Sequence, residues 1–267
     1  MRCSEIVTRL ELLSPPSFAE KWDNVGLLVG RLDQEIASVY IALDVTDKVI
    51  EEAIANGADM IITHHPLIFD GLKSITEEDF IGRRVRKLIG EDICYYAMHT
   101  NFDVLGMADA AAEELELSNS QVLHTTFEDD ISKEGFGRYG KLTRTMSLGE
   151  CAEFVKRKFS LANVAVYGDL RTQVNIAAVC PGSGKDFMPD AIKVGADVYI
   201  TGDISHHAGI DAVAQGLMVI DAGHYGVEKI FIPYMKDFMK KQMPGVKVFT
   251  EEIKNPFVVI REGSIKL

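Results

Sequence analysis

Four of the chain's seven histidines stand at spacings that suit metal chemistry. His64 and His65 are adjacent, directly after the apolar run Met60-Ile61-Ile62-Thr63 and directly before Pro66. His99 precedes Asp103 by four residues, and His224 precedes Glu228 by four. Imidazole nitrogens combined with carboxylate oxygens are ligands for zinc, iron or manganese, and two half-sites of this kind are what a binuclear centre needs. On a strand, adjacent histidines point to opposite faces. On a turn beginning at Thr63 both can converge, and Pro66 stiffens the exit. His224 and Glu228, at i and i+4 of a helix start, share one face. A lone histidine fits a core, and a lone i,i+4 pair fits a surface helix; the recurrence of both patterns favours ligation. The candidate ligands are therefore His64, His65, Asp103, His224 and Glu228, for two divalent ions. His99 is read as a neighbouring acid–base or supporting group.

The elements that must position these residues repeat. Residues 57–65 read Gly-Ala-Asp-Met-Ile-Ile-Thr-His-His, and residues 195–203 read Gly-Ala-Asp-Val-Tyr-Ile-Thr-Gly-Asp. In the first copy the patterns predict helices at 4–13, 47–56, 79–89 and 107–116, with strands at 24–29, 39–43, 60–63 and 93–98. In the second they predict helices at 149–159 and 186–194, with strands at 162–167, 176–180, 198–201 and 218–221. Alternating strands and helices imply largely parallel sheets, with ligands at the carboxyl ends of the strands. The expected fold is α/β: two similar, interlinked units, an internal pseudo-repeat, with a binuclear metal site in the cleft between them. The first unit is expected over 1–125 and the second over 126–267. The boundary falls where Glu128-Asp129-Asp130 and the glycines of 135–140 suggest a connection or a hairpin. Strands at 246–250 and 257–261 have no assigned sheet and can return to the first unit.

Several polar residues are placed near this centre by the same logic. Asp44 and Thr46 end a strand beside the tandem histidines. Asp203, His206 and His207 hold the equivalent place in the second copy, so His206 and His207 join His99 as candidate proton carriers. The run Cys180-Pro181-Gly182-Ser183-Gly184-Lys185 ends like a phosphate-binding loop but lacks the earlier glycine and the Ser or Thr after lysine. It is read first as a tight strand-to-helix turn, with Lys185 as the group that could meet an anionic substrate. His124 has no motif around it and is read as structural or as surface.

Composition excludes other classes. With 47% hydrophobic residues in 267, the chain can bury a full core. The 28 basic and 40 acidic residues give a formal charge of −12, which repels phosphate backbones and disfavours nucleic acid as a partner. The basic runs at 83–87 and 156–158 have the spacing of solvated helix faces. Cys3, Cys94, Cys151 and Cys180 form no C-x-x-C pair and suggest no disulfide framework. With no apolar leader and no run of membrane-spanning length, no membrane association is expected, and a cytoplasmic location is.

The motifs, taken in order, resemble the Nif-three-like family, whose members are named GTP cyclohydrolase 1 type 2 homologues. They are Trp22-Asp23-Asn24-Val25-Gly26-Leu27, Ala42-Leu43-Asp44-Val45-Thr46, Thr63-His64-His65-Pro66, His99-Thr100-Asn101-Phe102-Asp103, Thr201-Gly202-Asp203 with His206-His207, and His224-Tyr225-Gly226-Val227-Glu228. The resemblance spans residues 22–228 and implies a binuclear site on the same five ligands, together with a ring-like homohexamer whose metal sites face an internal cavity. Hydrolysis of a nucleotide-like substrate by metal-activated water is the leading expectation. The alternatives are a binuclear phosphoester or amide hydrolase, and a non-catalytic metal-bearing ring that interacts with partner proteins.

Overall fold

The computed structural model describes residues 1–260. The chain begins with α1 (Cys3–Leu13), whose Ile6, Val7 and Leu10 form a buried stripe, and Pro15-Pro16 follows its end. Then come β1 (Gly26–Val29), β2 (Ser38–Ala42), α2 (Asp47–Ala55), β3 (Met60–Thr63), α3 (Phe80–Gly90) and β4 (Cys94–Ala97). Every residue of β2, β3 and β4 is buried, as parallel strands covered on both faces require. These three strands run parallel, and β1 lies antiparallel on the outer side of β4. The helix expected at 107–116 is broken differently. A short α4 (Thr100–Phe102) leads into a π turn over Asp103–Met107 and then α5 (Ala108–Glu114).

The second sheet contains β5 (Ser118–Glu128), β6 (Lys133–Ser147), β7 (Ala165–Tyr167), β8 (Gln173–Ser183), β9 (Val198–Gly202) and β10 (Met218–Asp221). Between its strands lie α6 (Leu148–Lys158), α7 (Met188–Lys193) and α8 (His206–Ala214). Strands β8, β9 and β10 are parallel, and β7 lies antiparallel on β10, as β1 does on β4. The pseudo-repeat is thus a repeat of topology. The stretch around 128–140 is the β5–β6 hairpin, reversed where the Asp129 carboxylate accepts from the Ile131 and Ser132 amides. This sheet begins at Ser118, ahead of the boundary expected near residue 125.

The shared Gly-Ala-Asp of the two copies has a structural cause. Gly57 and Gly195 adopt positive φ (64° and 73°) just past α2 and α7, where a side chain would be strained. Asp59 then accepts from the Ala37 and Ser38 amides, and Asp197 from those of Asn175 and Ile176. Each aspartate therefore pins the start of the neighbouring strand and carries no site chemistry.

After β10 come α9 (His224–Glu228), α10 (Phe231–Gln242) and β11 (Lys247–Thr250). Strand β11 pairs in parallel with β2, completing the first sheet. Residues 257–260 form no strand, and Arg261 lies outside the described residues. The two halves exchange helices. Phe231, Ile232, Met235 and Met239 of α10 pack with Ile6, Val39 and Ile62 of the first half. Ala111 and Ala112 of α5 pack with Leu142, Val174 and Ala177 of the second. Among the described residues, no helix is long and apolar enough to cross a membrane.

Candidate metal centre

Both crossings begin at the site. Strands β3, β4 and β10 end on residues that turn toward one another, and the α4–α5 and α9–α10 segments carry Asp103 and Glu228 across. His64 is fully buried. Its Nδ1–H donates to the Met98 carbonyl (2.8 Å), and its Nε2 lies 3.5 Å from Asp103 Oδ1 and 3.6 Å from Glu228 Oε1. His65 Nε2 lies 3.1 Å from His224 Nε2 and 3.1 Å from Glu228 Oε2, and His224 Nε2 is 2.9 Å from that same oxygen. The result is two triads, His64–Asp103–Glu228 and His65–His224–Glu228, each with ligand atoms within 4.8 Å of one another. A third grouping, His64–His65–His99, overlaps them.

The outer nitrogens are all engaged. His65 Nδ1 meets Asp44 at 2.9 Å, and His224 Nδ1 meets Asp203 at 2.7 Å. With Nδ1 held by a carbonyl or a carboxylate on all three rings, Nε2 is the nitrogen presented inward, an arrangement that orients metal-binding imidazoles. His64 Nε2, Asp103 Oδ1 and Glu228 Oε2 are buried with no partner in hydrogen-bonding geometry. Orphaned buried polar atoms cost about 1–3 kcal/mol each, more when charged. A divalent cation among them removes that cost, so the donor set fits a metal.

Charge is arranged to the same end. Burial pushes His64 down to about 4, so it is neutral with a free lone pair. Burial opposes charge on His65 as well, but the hydrogen bond to Asp44 and the nearby Glu228 carboxylate outweigh it and raise the ring to about 10. His224 rises to about 9 against burial, through Glu228 and Asp203. Asp103 is raised well above the ordinary range by burial and by Glu228. Glu228, although burial opposes its charge, is held well below its ordinary range by the histidines around it. Without a cation, the cluster stores protons that a cation displaces.

His99 is held separately. Its Nδ1 meets Asp23 Oδ1 at 2.9 Å, while Asp23 Oδ2 accepts from the Thr100 amide (3.0 Å) and hydroxyl (2.5 Å). Burial works against the Asp23 charge, but the bonds from His99 and Thr100 prevail and bring the carboxyl to about 2. A 480 Å³ cleft lined by Trp22, His99, Asp103, Phe187, His224 and Glu228 opens beside the cluster. A second, of 490 Å³, is lined by Asp44, His65, Asp203 and His224.

Other sequence candidates lie elsewhere. The Thr46 hydroxyl accepts from the Val49 amide and caps α2. His206 and His207 are exposed at the start of α8, stack edge-on against each other, and line neither cleft. Lys185 lines a groove with Met188 and Ala212, while Asp186 of the same turn lines the cleft. The glycine-rich turn serves the cluster through Gly182, at φ 73°, where an added Cβ would collide with the Glu228 carboxylate. Spacing alone selects none of Asp23, Gly182 and His124. Asp23 follows the chain's one tryptophan, which is the signal that could have drawn attention to it.

Fold and site together define a two-sheet α/β protein with a histidine–carboxylate cluster suited to metal ions. The model of the Duf34/NIF3 (NGG1p interacting factor 3) family matches residues 1–256, and the chain belongs to that family. It is 35% identical to the GTP cyclohydrolase 1 type 2 homolog of Clostridium perfringens over 97% of this chain and 100% of that protein. The namesake in Lactococcus lactis is also 35% identical, over 96% and 99%. Among solved structures, a Bacillus cereus protein related to NIF3 superposes with a TM-score of 0.92 at 27% identity, covering 97% of this chain and 99% of that one. Reduced HcgD from Methanocaldococcus jannaschii gives 0.80 at 33% identity, covering 94% and 97%.

Proposed function

We propose that the chain is a metal-dependent hydrolase of a nucleotide-like substrate, with GTP the first candidate. The observation that carries this is the pair of ligand triads sharing Glu228. His64, Asp103 and Glu228 would hold one divalent ion, and His65, His224 and Glu228 the other. Ions so held supply Lewis acidity and lower the pKa of water toward neutrality. The rest falls to the protein. Asp44, Asp203 and the Met98 carbonyl keep the three imidazoles oriented. Asp23 fixes the Nδ1 proton of His99, leaving Nε2 to take up or release a proton beside the cleft. The names of the curated relatives support GTP as the substrate to try first.

Assembly into a ring-like homohexamer belongs to the same proposal. Leu72, Ile75 and Ile89, exposed along one groove, offer apolar surface for a second copy, and light scattering of the purified protein tests it. Four free, buried cysteines accord with a reducing, cytoplasmic location. The decisive experiment is release of formate from GTP by protein loaded with zinc, manganese or iron, alongside His64→Ala. Metal-dependent release that the variant lacks supports the assignment; equal release by both proteins overturns it.

A further inference from the structure

The cleft beside the cluster has a wall that the chemistry above leaves unused. His124, on β5, lines it together with Phe136 and Phe187. The His124 and Phe187 rings lie 4.9 Å apart, and Phe187 stacks on Phe136 at 5.2 Å and 15°. The Nδ1–H of His124 donates to Asp190 at 2.8 Å, so in the neutral ring Nε2 is the acceptor. The same cleft is lined by Trp22, which is 59% exposed and stacked on Phe69 at 6.0 Å and 12°. Flat apolar surfaces on a 480 Å³ space, within the range of small-ligand pockets, suit a planar ring.

We propose that Phe187, Trp22 and the Asp190-held His124 form a recognition site for a planar heteroaromatic ring with N–H donors on its edge, a guanine-type base. The inference rests on the hydrolase proposal for its choice of base, and it names the residues that would hold that base beside the cluster. Aromatic side chains take a base through its π face, which is tolerant of sequence and edge chemistry. Discrimination then comes from the edge. The wall offers acceptors, His124 Nε2 and the Asp186 carboxylate, which match the N–H edge of guanine. Asp190 acts as a positioning residue through His124.

Trp22 is the chain's only tryptophan, so its emission reports this cleft directly. Full-length protein, metal-loaded or chelator-treated, is titrated with guanosine, inosine and sodium tripolyphosphate. Guanosine should quench Trp22 saturably in both forms. Inosine, lacking the exocyclic amine, should bind about threefold or more weakly. His124→Gln and Phe187→Leu should each weaken guanosine at least about tenfold while leaving tripolyphosphate binding and metal content unchanged. The His124 side chain is 40% exposed, so His124→Gln carries the test even if Phe187→Leu does not fold. Absence of quenching by guanosine, or equal binding by wild type and His124→Gln, overturns the proposal. His124-dependent guanosine binding without GTP turnover supports the ring site and removes the hydrolase assignment. Turnover with a KM and guanosine binding indifferent to His124→Gln does the reverse.

Discussion

Glu228 belongs to both triads, so removing its charge and removing one imidazole should have different consequences. Glu228→Gln is expected to lose both ions, whereas His224→Ala loses one and keeps the His64–Asp103–Glu228 half. Elemental analysis after gel filtration measures this directly, and equal loss in the two variants would deny the shared role. Asp44→Ala or Asp203→Ala should lower metal affinity about 10–100-fold by freeing the outer nitrogen of its ring. The cluster also predicts a pH dependence. His65 and His224 are raised in the metal-free protein to about 10 and about 9. The stability they contribute as cations is complete below their ordinary value near 6.5 and is lost as pH rises through about 9 and 10. A divalent ion competes with the same protons, so its affinity should climb over that interval, and binding near neutrality should release protons. Calorimetry in buffers of differing ionisation enthalpy counts them, and zero release sinks the proton-storing picture. Asp23 has the opposite sign: its contribution is present above about 4 and lost as pH falls through about 2. Asp23→Asn should cost about 1.5–3 kcal/mol in a denaturant titration, the usual worth of hydrogen bonds to a charged group.

Strands and helices explain what the sequence disclosed and what it hid. The tandem histidines and the His224–Glu228 pair were legible because local geometry alone decides them: a strand end forces the first pair into a turn, and a helix start aligns the second. The Gly-Ala-Asp repeat was equally visible, but its meaning was not, because it serves to cap a helix and pin a strand. Asp59→Ala and Asp197→Ala should therefore each lower stability by about 1.5–3 kcal/mol while metal stoichiometry stays unchanged; a loss of metal would reassign the motif. Strand register accounts for His99 standing beside the ligands while His224 joins them. Ala97 pairs with Thr63 and Asp221 with Thr201, yet His99 follows its strand end by two residues and His224 by three. One position of slip on a helix start turns a side chain by about 100°, and His99 accordingly meets Asp23 rather than an acid of the Asp203 type. His206 and His207 are expected near the site because they follow the strand end that matches the tandem histidines in the second copy, and α8 carries them to the surface. Asp103 owes its aim to a π turn, and no local pattern announces an i→i+5 bond. Asp23 and His124 reach the site through contacts across the fold, 76 residues from His99 in one case and 66 from Asp190 in the other.

At the scale of the whole molecule, the first sheet is finished by a strand from the far end of the chain, and each half buries a helix of the other. A fragment of residues 1–117 should for that reason show no cooperative thermal transition by circular dichroism, since it lacks α10 and β11. A sharp transition from the fragment would mean that the first half folds alone. The −12 charge spread over this body also makes salt-dependent binding to DNA an unexpected result. The exchange of helices matters beyond folding. A protein whose lobes meet along a plain interface can swing open, and its binding groups then come into line only when something is bound. Here the lobes are cross-braced, with the braces anchored on the two residues that supply the carboxylates. The distances among the inward-facing nitrogens and oxygens are therefore set when the chain folds, and an arriving ion meets an arrangement whose ordering entropy is already spent.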